Sequence, residues 1–139
     1  MAKVLIVDDS STQREALRAL VQGLGHVALV AANGEEGVRR AIEETPDLIL
    51  MDVVMPGAVN GYQATRQLTR EPTTAIIPIV LITSKDQPTD EVWGRRQGAR
   101  DYLTKPVDEK ALIAVIDRLV NHVDNLRRDL QARDDVKRR

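Results

Sequence analysis

Residues 46–56 read PDLILMDVVMP, and within them the run Leu48-Ile49-Leu50-Met51 has no polar residue at any position. A strand with one face in water alternates apolar and polar side chains. A run without that alternation, too short for a helix, belongs to a strand covered on both faces, as in a parallel sheet between two layers of helices. Val4 to Val7 has the same character, as does Ile76 to Ile82, interrupted by Pro78. Val27 to Ala31 and Asp101 to Thr104 read as two weaker strands.

The segments between these strands carry helical patterns. In the first, Ser11 or Thr12 is the expected N-cap, and Ala16, Leu17, Leu20, Val21 and Leu24 form one stripe before Gly25 stops it. A second helix is expected from Glu35 to Glu44, ended by Pro46, and a third from Tyr62 to Arg70, ended by Pro72. A fourth begins at Pro88 or Thr89 and stops at Gly98; a fifth begins near Asp108, which can cap it, with Glu109 in its positive first turn. Five strands alternating with five helices through right-handed crossovers predict an α/β fold with a doubly wound five-stranded parallel sheet.

Composition narrows the function classes. A chain of 139 residues holds one domain of ordinary size and a short appendage, so no second output module is expected. With 2% aromatic residues and no Phe, the core has to be built from Val, Ile, Leu and Ala. A net charge of -1 offers no basic footprint for phosphate neutralisation, so no nucleic acid partner is expected. The absence of Cys excludes disulfides, thiolate metal sites and cysteine nucleophiles. The apolar run before Asp8 is too short for a signal-peptide core, and no run approaches the roughly 18 residues of a membrane span. The expectation is a cytoplasmic protein without membrane insertion.

In sheets of this kind ligands bind at the carboxyl ends of the strands. Asp8 and Asp9 follow the first strand, Asp52 the third, Thr83 and Ser84 the fourth, and Lys105 and Pro106 the fifth. Two carboxylates about 5 Å apart repel by roughly 3 kcal/mol at an effective dielectric near 20, a serious fraction of a stability of about 5 to 15 kcal/mol. One Lys cannot cancel three of them. Either a proton is retained or a divalent cation is bound, and an all-oxygen cluster with no His or Cys favours Mg2+.

Asp8-Asp9, Asp52 within LILMDVVMP, Thr83 within VLITS, and Lys105-Pro106 within DYLTKP resemble the receiver domain of two-component response regulators, over residues 3 to 120. The resemblance implies a flavodoxin-like, CheY-like (βα)5 fold. It implies that Asp52 is a phosphoacceptor that attacks a phosphohistidine on a sensor kinase. Asp9 and Asp52 would bind Mg2+ directly, Asp8 through water, and the backbone carbonyl of Val54 would complete the protein's share of the shell. Lys105 would pair with a phosphoryl oxygen, Thr83 would donate its hydroxyl to the same group, and the backbone at Val54 and Ser84 would contact it. Thr83, drawn toward the phosphoryl group, would open space for Tyr102 to swing inward and reshape the surface of the fourth helix, fifth strand and fifth helix. A cis bond before Pro106 is also implied. Such a protein is no enzyme of outside substrates: it catalyses only its own phosphorylation and dephosphorylation. Val54 and Lys85, two positions beyond Asp52 and Thr83, would flank the path of the hydrolytic water, and an apolar Val54 implies a long-lived acyl phosphate.

The segments DVVMPGAVNGYQATRQLT and TSKDQPTDEVWGRRQGARDYLTKPVDE are similar to those of single-domain regulators in the chemosensory system of type IV pilus twitching motility. That implies a CheA-like histidine kinase as phosphodonor and a downstream protein target, or alternatively a phosphate sink with no direct output. The loop Gly57 to Asn60 is one residue longer than the usual family spacing. A rival reading is a flavodoxin-like nucleotide-binding enzyme, but the carboxylates of Asp8-Asp9-Ser10-Ser11 would repel a phosphate unless a metal intervened, and neither GxGxxG nor GxxxxGK[ST] occurs.

Several residues have plainer readings. Thr83 alone is an ordinary β-branched strand end, and Tyr102 an ordinary strand aromatic. Trp93, the single Trp, is either a partner anchor or a cover for the sheet edge. His26 and His122 lack ligand spacing and read as surface residues. Leu112, Ile116, Leu119, Val123, Leu126 and Leu130 are spaced 4, 3, 4, 3, 4, so a heptad-like seam runs past the expected end of the domain. The division is then a receiver domain over residues 1–120 and a charged C-terminal helical extension or tail over 121–139, through which two copies could associate.

Overall fold

The computed structural model describes residues 1–137; Arg138 and Arg139, the last two positions of the expected extension, lie outside the described residues. The elements run β1 (Lys3–Val7), α1 (Ser11–Gly23), β2 (Val27–Ala31), α2 (Gly34–Glu44), β3 (Leu48–Met51), α3 (Gly61–Arg70), β4 (Ile79–Thr83), α4 (Pro88–Gln97), β5 (Asp101–Thr104) and α5 (Glu109–Lys137). All strand pairings are parallel, in the order β2-β1-β3-β4-β5. The doubly wound α/β expectation holds, and the order reverses between β1 and β3 as in other folds of this type.

The period-two alternation of the buried strands sorts the core into two layers. Leu5, Val7, Ile49, Met51, Ile79 and Leu81 face α2 and α3, meeting Ala41, Ala64 and Leu68. Val4, Ile6, Leu48, Leu50, Val80 and Ile82 face α1 and α5, meeting Val21, Leu112, Ile116 and Leu119. Each fully buried aliphatic side chain contributes roughly 1.5 to 3 kcal/mol relative to exposure, so the sheet's double coverage dominates the fold's stability.

Two local expectations need correction. The fourth strand begins at Ile79, and Ile76 is 59% exposed. Pro78 cannot donate to a sheet ladder, while Thr74 Oγ1 donates to Leu68 O (2.7 Å) and Ile77 N to Thr74 O (3.0 Å), so turns take residues 71–77. The first helix is capped by Ser10, not by Ser11 or Thr12: Ser10 Oγ accepts from Gln13 N (3.3 Å), and Ser10 N itself donates to Asp8 Oδ1 (2.9 Å). His122 is exposed as expected, but His26 is half-buried, its Nδ1 accepting from Ala2 N at 3.1 Å.

Helix α5 runs 29 residues, about 44 Å at 1.5 Å per residue. Its seam is buried at Leu112, Ile116 and Leu119, half-buried at Val123 and Leu126, and 52% exposed at Leu130, so the helix leaves the sheet as it proceeds. Arg127 pairs with Asp47 Oδ1 before β3, and Asp47 Oδ2 also accepts from Lys3 N (2.8 Å). Among the described residues no helix is long and apolar enough to cross a membrane.

Candidate functional site

Register brings the acidic residues together. Val7 is level with Met51, so Asp8 and Asp52 leave adjacent strands side by side; Thr83 is level with Thr104, which sets Lys105 at the next strand end. Asp52 N is tied to Val7 O (2.9 Å) and Asp8 N to Ala31 O (3.1 Å), so both carboxylates project from backbone held in the sheet. Gly61 packs directly on the backbone of Asp52 and Val53. A Cβ there would lie 2.0 Å from Asp52 O, so only glycine lets the start of α3 close on the residue after β3, with Gly61 N donating to Val53 O (2.9 Å).

Carboxylate oxygens of Asp8, Asp9 and Asp52 lie within 4.8 Å of one another. Asp8 and Asp52 are buried and Asp9 is exposed, giving the cluster one open side. Lys105 Nζ stands 3.4 Å from Asp8 Oδ2 and 3.4 Å from Asp52 Oδ2, and also donates to Gln13 Oε1. The residues line a cavity of about 730 Å3 together with Ser10, Val54, Ser84 and Pro106. Burial pushes the Asp52 carboxyl above its ordinary value; Lys105 and the Val53 N–H (2.8 Å from Oδ1) oppose that rise, and the charge of Asp8 adds to it. Three hard oxygen donors within 4.8 Å of one another fit a Mg2+ ion, and a buried carboxylate beside an ammonium suits a nucleophile whose incoming group is anionic.

The expected site residues do not all share that cavity. Thr83 is fully buried behind Ser84, and its Oγ1 accepts from Lys85 N (3.3 Å). Val54 is 55% exposed at the cavity mouth and Lys85 is exposed. Tyr102 lies in the opposite core layer and is already inward, 8% exposed, its hydroxyl donating to Lys85 O at 2.7 Å. Tyr102 thus already occupies the inward position toward which the resemblance has it swing. The Lys105–Pro106 bond is cis, as expected. Trp93 is 48% exposed beside a similarly exposed Val92, which does not suit a cover for the sheet edge.

The sequence reading missed three contributors. Gln13 reaches Lys105 from the first turn of α1, and Arg14 Nη1 donates to the Asp8 carbonyl (2.8 Å). Their positions three and four residues after the Ser10 cap were the available signal, since helical spacing returns such side chains toward the strand end. Tyr62, on α3, meets Tyr102 hydroxyl to hydroxyl at 3.3 Å.

The loop from Gly57 to Asn60 is anchored to α2. Ala58 N donates to Glu35 Oε1 (3.0 Å), Val59 packs on the core, and Asn60 closes a capping box with Gln63 at the start of α3.

The sequence profile of the response regulator receiver domain matches residues 4–117. The chain belongs to that family. This receiver domain is 56% identical over 120 residues to the protein PilH of Pseudomonas aeruginosa, covering 86% of this chain and 98% of PilH, and is PilH-like. It is 37% identical to the response regulator PleD of Caulobacter vibrioides, of which it spans 28%. Among solved structures, chemotaxis protein CheY4 of Vibrio cholerae superimposes with a TM-score of 0.80 at 30% identity, covering 86% of this chain and 98% of that one. The signal receiver domain of a histidine kinase from Syntrophus aciditrophicus gives 0.82 at 36% identity, covering 88% and 92%. Receiver domains are signalling proteins that take up a phosphoryl group on Asp and bind Mg2+ in an acidic cluster, and such a cluster is present here. Membership sets aside the rival nucleotide-binding enzyme.

Proposed function

We propose that this receiver domain accepts a phosphoryl group from a histidine kinase on Asp52 and passes the signal on by changing a protein-binding surface. The observation that carries the reading is what surrounds Asp52: Asp8 and Asp9 oxygens within 4.8 Å, and the Lys105 ammonium 3.4 Å away and shared with Asp8. The three carboxylates can hold a hard cation, while the ammonium can meet an anionic oxygen of the incoming group.

Asp8, Asp9, Asp52 and the Val54 carbonyl are the residues that would hold Mg2+, Asp8 through water. When bound, the ion neutralises charge on the phosphoryl oxygens and orients them. Asp52 Oδ supplies the nucleophile, forming a P–O bond as the P–N bond to the donor histidine breaks and its imidazole leaves, and the backbone tie of Asp52 to Val7 O fixes its place at the strand end. Lys105 takes up charge on the transferring group, with backbone N–H groups at Val54 and Ser84 as further donors. Thr83 acts after its hydroxyl turns from Lys85 N toward the cavity, and Tyr102 reports that change to α4, β5 and α5.

The similarity to twitching-motility regulators and the 56% identity to PilH support a role in chemosensory control of type IV pili, with a CheA-like kinase as donor. Residues 121–139 extend beyond a domain of residues 1–120, and the seam continuing to Leu130 supports self-association through that helix. Light scattering over a dilution series, comparing the full chain with one cut after Asn121, tests this.

The reading itself is tested by exposing the protein to acetyl phosphate with and without Mg2+ and measuring intact mass. We expect a gain of one phosphoryl group that needs Mg2+, is removed by hydroxylamine and is lost in Asp52→Asn. Uptake by Asp52→Asn at the parent's rate overturns the assignment.

A further inference from the structure

Tyr62 and Tyr102 are the only tyrosines in the chain, and each buries its hydroxyl on the α2–α3 side of the sheet. Tyr102 has one hydroxyl hydrogen, committed to Lys85 O at 2.7 Å. The 3.3 Å contact between the two hydroxyls therefore needs Tyr62 as donor, and the same Tyr62 hydrogen also faces Asp90 O at 3.2 Å. Lys85 lies in the β4–α4 loop and Asp90 in the first turn of α4, so the pair joins α3, β5 and the start of α4 through two buried hydroxyls.

Packing alone does not call for this arrangement. A Phe at position 62 would fill the same core space, whereas a buried hydroxyl costs about 1 to 3 kcal/mol wherever it lacks a partner. The slot that receives Tyr102 is equally particular: a Cβ on Gly94 of α4 would stand 3.1 and 3.2 Å from Tyr102 ring carbons and 2.8 Å from Leu81 Cδ1. Were Tyr102 to leave, the Lys85 carbonyl would lose its donor and Tyr62 would be left with Asp90 O alone.

We propose that Tyr62 is a positioning residue, which holds Tyr102 inward by donating to its hydroxyl oxygen and so couples the inward state to the first turn of α4. The proposal deepens the function proposed above and rests on it only for the consequence: the α4–β5–α5 surface is biased toward the signalling shape before phosphorylation, and loss of the Tyr62 hydroxyl slows phosphoryl uptake.

The test uses Tyr62→Phe in the full chain, where Tyr102 becomes the only tyrosine. Nitration of Tyr102 by tetranitromethane, followed by mass spectrometry, reads its exposure without any phosphoryl chemistry. We expect nitration about three- to tenfold faster than in the parent, the range one neutral hydrogen bond allows. Uptake from acetyl phosphate should slow by a similar factor, with no further effect of Tyr62→Phe in a Tyr102→Phe background, a non-additivity that a merely structural role would not produce. Tyr62→Leu, also without a hydroxyl, gives the same comparison if the Phe variant folds poorly. Unchanged nitration of Tyr102 overturns the role of Tyr62, even where the parent takes up phosphate normally. A parent that takes up no phosphate overturns the phosphoacceptor reading instead, while faster nitration would still support the hydroxyl pair.

Discussion

Lys105 and Asp52 come from the ends of β5 and β3, strands separated in the sheet by β4, yet the ammonium lies 3.4 Å from Asp52 Oδ2 and only a fifth of its side chain is exposed. The same ammonium is 3.4 Å from Asp8 Oδ2. One cation is thus shared by two buried carboxylates, which makes it both a structural counter-ion and the nearest positive charge to the candidate nucleophile.

Replacing that cation separates the two roles. Lys105→Ala should lower the rate of phosphoryl uptake by about a hundredfold, the scale of losing one charge-stabilising donor. It should also lower the thermal midpoint in metal-free buffer, because two buried carboxylates are left facing each other, and Mg2+ should restore most of the midpoint but not the rate. Differential scanning fluorimetry with and without Mg2+, beside intact-mass kinetics, measures both.

Asp52 is held above its ordinary value of 3.8, first by burial and then by Asp8, with Lys105 opposing. A carboxyl raised in the folded state favours folding fully below the unfolded value and loses that contribution as pH rises through the folded value. At neutral pH, without Mg2+, the ionised Asp52 therefore destabilises the fold. Asp52→Asn should be more stable than the parent at pH 7 by about 1 kcal/mol, with the gain shrinking toward pH 3.8. Urea unfolding of both chains across this range checks the sign; a parent more stable at pH 7 contradicts it.

Gly61→Ala should destabilise the protein by about 2 to 4 kcal/mol, because the new Cβ meets the Asp52 carbonyl at 2.0 Å and backbone is what would have to move. Phosphoryl uptake should fall along with stability. Glycine replacement at Gly23, where no atom lies within 4 Å of an added Cβ, is the matched control and should change stability by well under about 1 kcal/mol.

Val54, 55% exposed at the cavity mouth, offers no hydrogen-bonding side chain to a water approaching Asp52. The acyl phosphate should persist for minutes or longer, and Val54→Asn should shorten its life several-fold. Loss of the phosphoryl mass after donor removal gives the lifetime directly, and a parent half-life of seconds counts against the reading.

Arg127 ties the outer part of α5 to Asp47, but its side chain is 60% exposed, so the pair is largely screened. Arg127→Ala should cost no more than about 1 kcal/mol. Hydrogen exchange should report faster opening of residues 121–137 while the sheet stays protected.

Much of this molecule was legible one residue at a time. Leu48 to Met51 announced a doubly covered strand because no position in it tolerates water, and Asp8, Asp9, Asp52 and Lys105 could be assigned to strand ends because apolar runs stop abruptly at them. Local competition was harder to read: residues 71–77 turn because Thr74 finds the Leu68 carbonyl, and Ser10 caps α1 because Asp8 fixes its backbone.

What the chain's own order determined was the fold class and the set of charges at one edge, since both follow from periodicity and from where each period ends. The approach of Tyr62 to Tyr102 and the seating of Asp47 under Arg127 were decided only by tertiary structure. Each joins side chains from separate elements, and hydrogen bonds at that range depend on sub-ångström placement of helices against the sheet, which no spacing along the chain encodes.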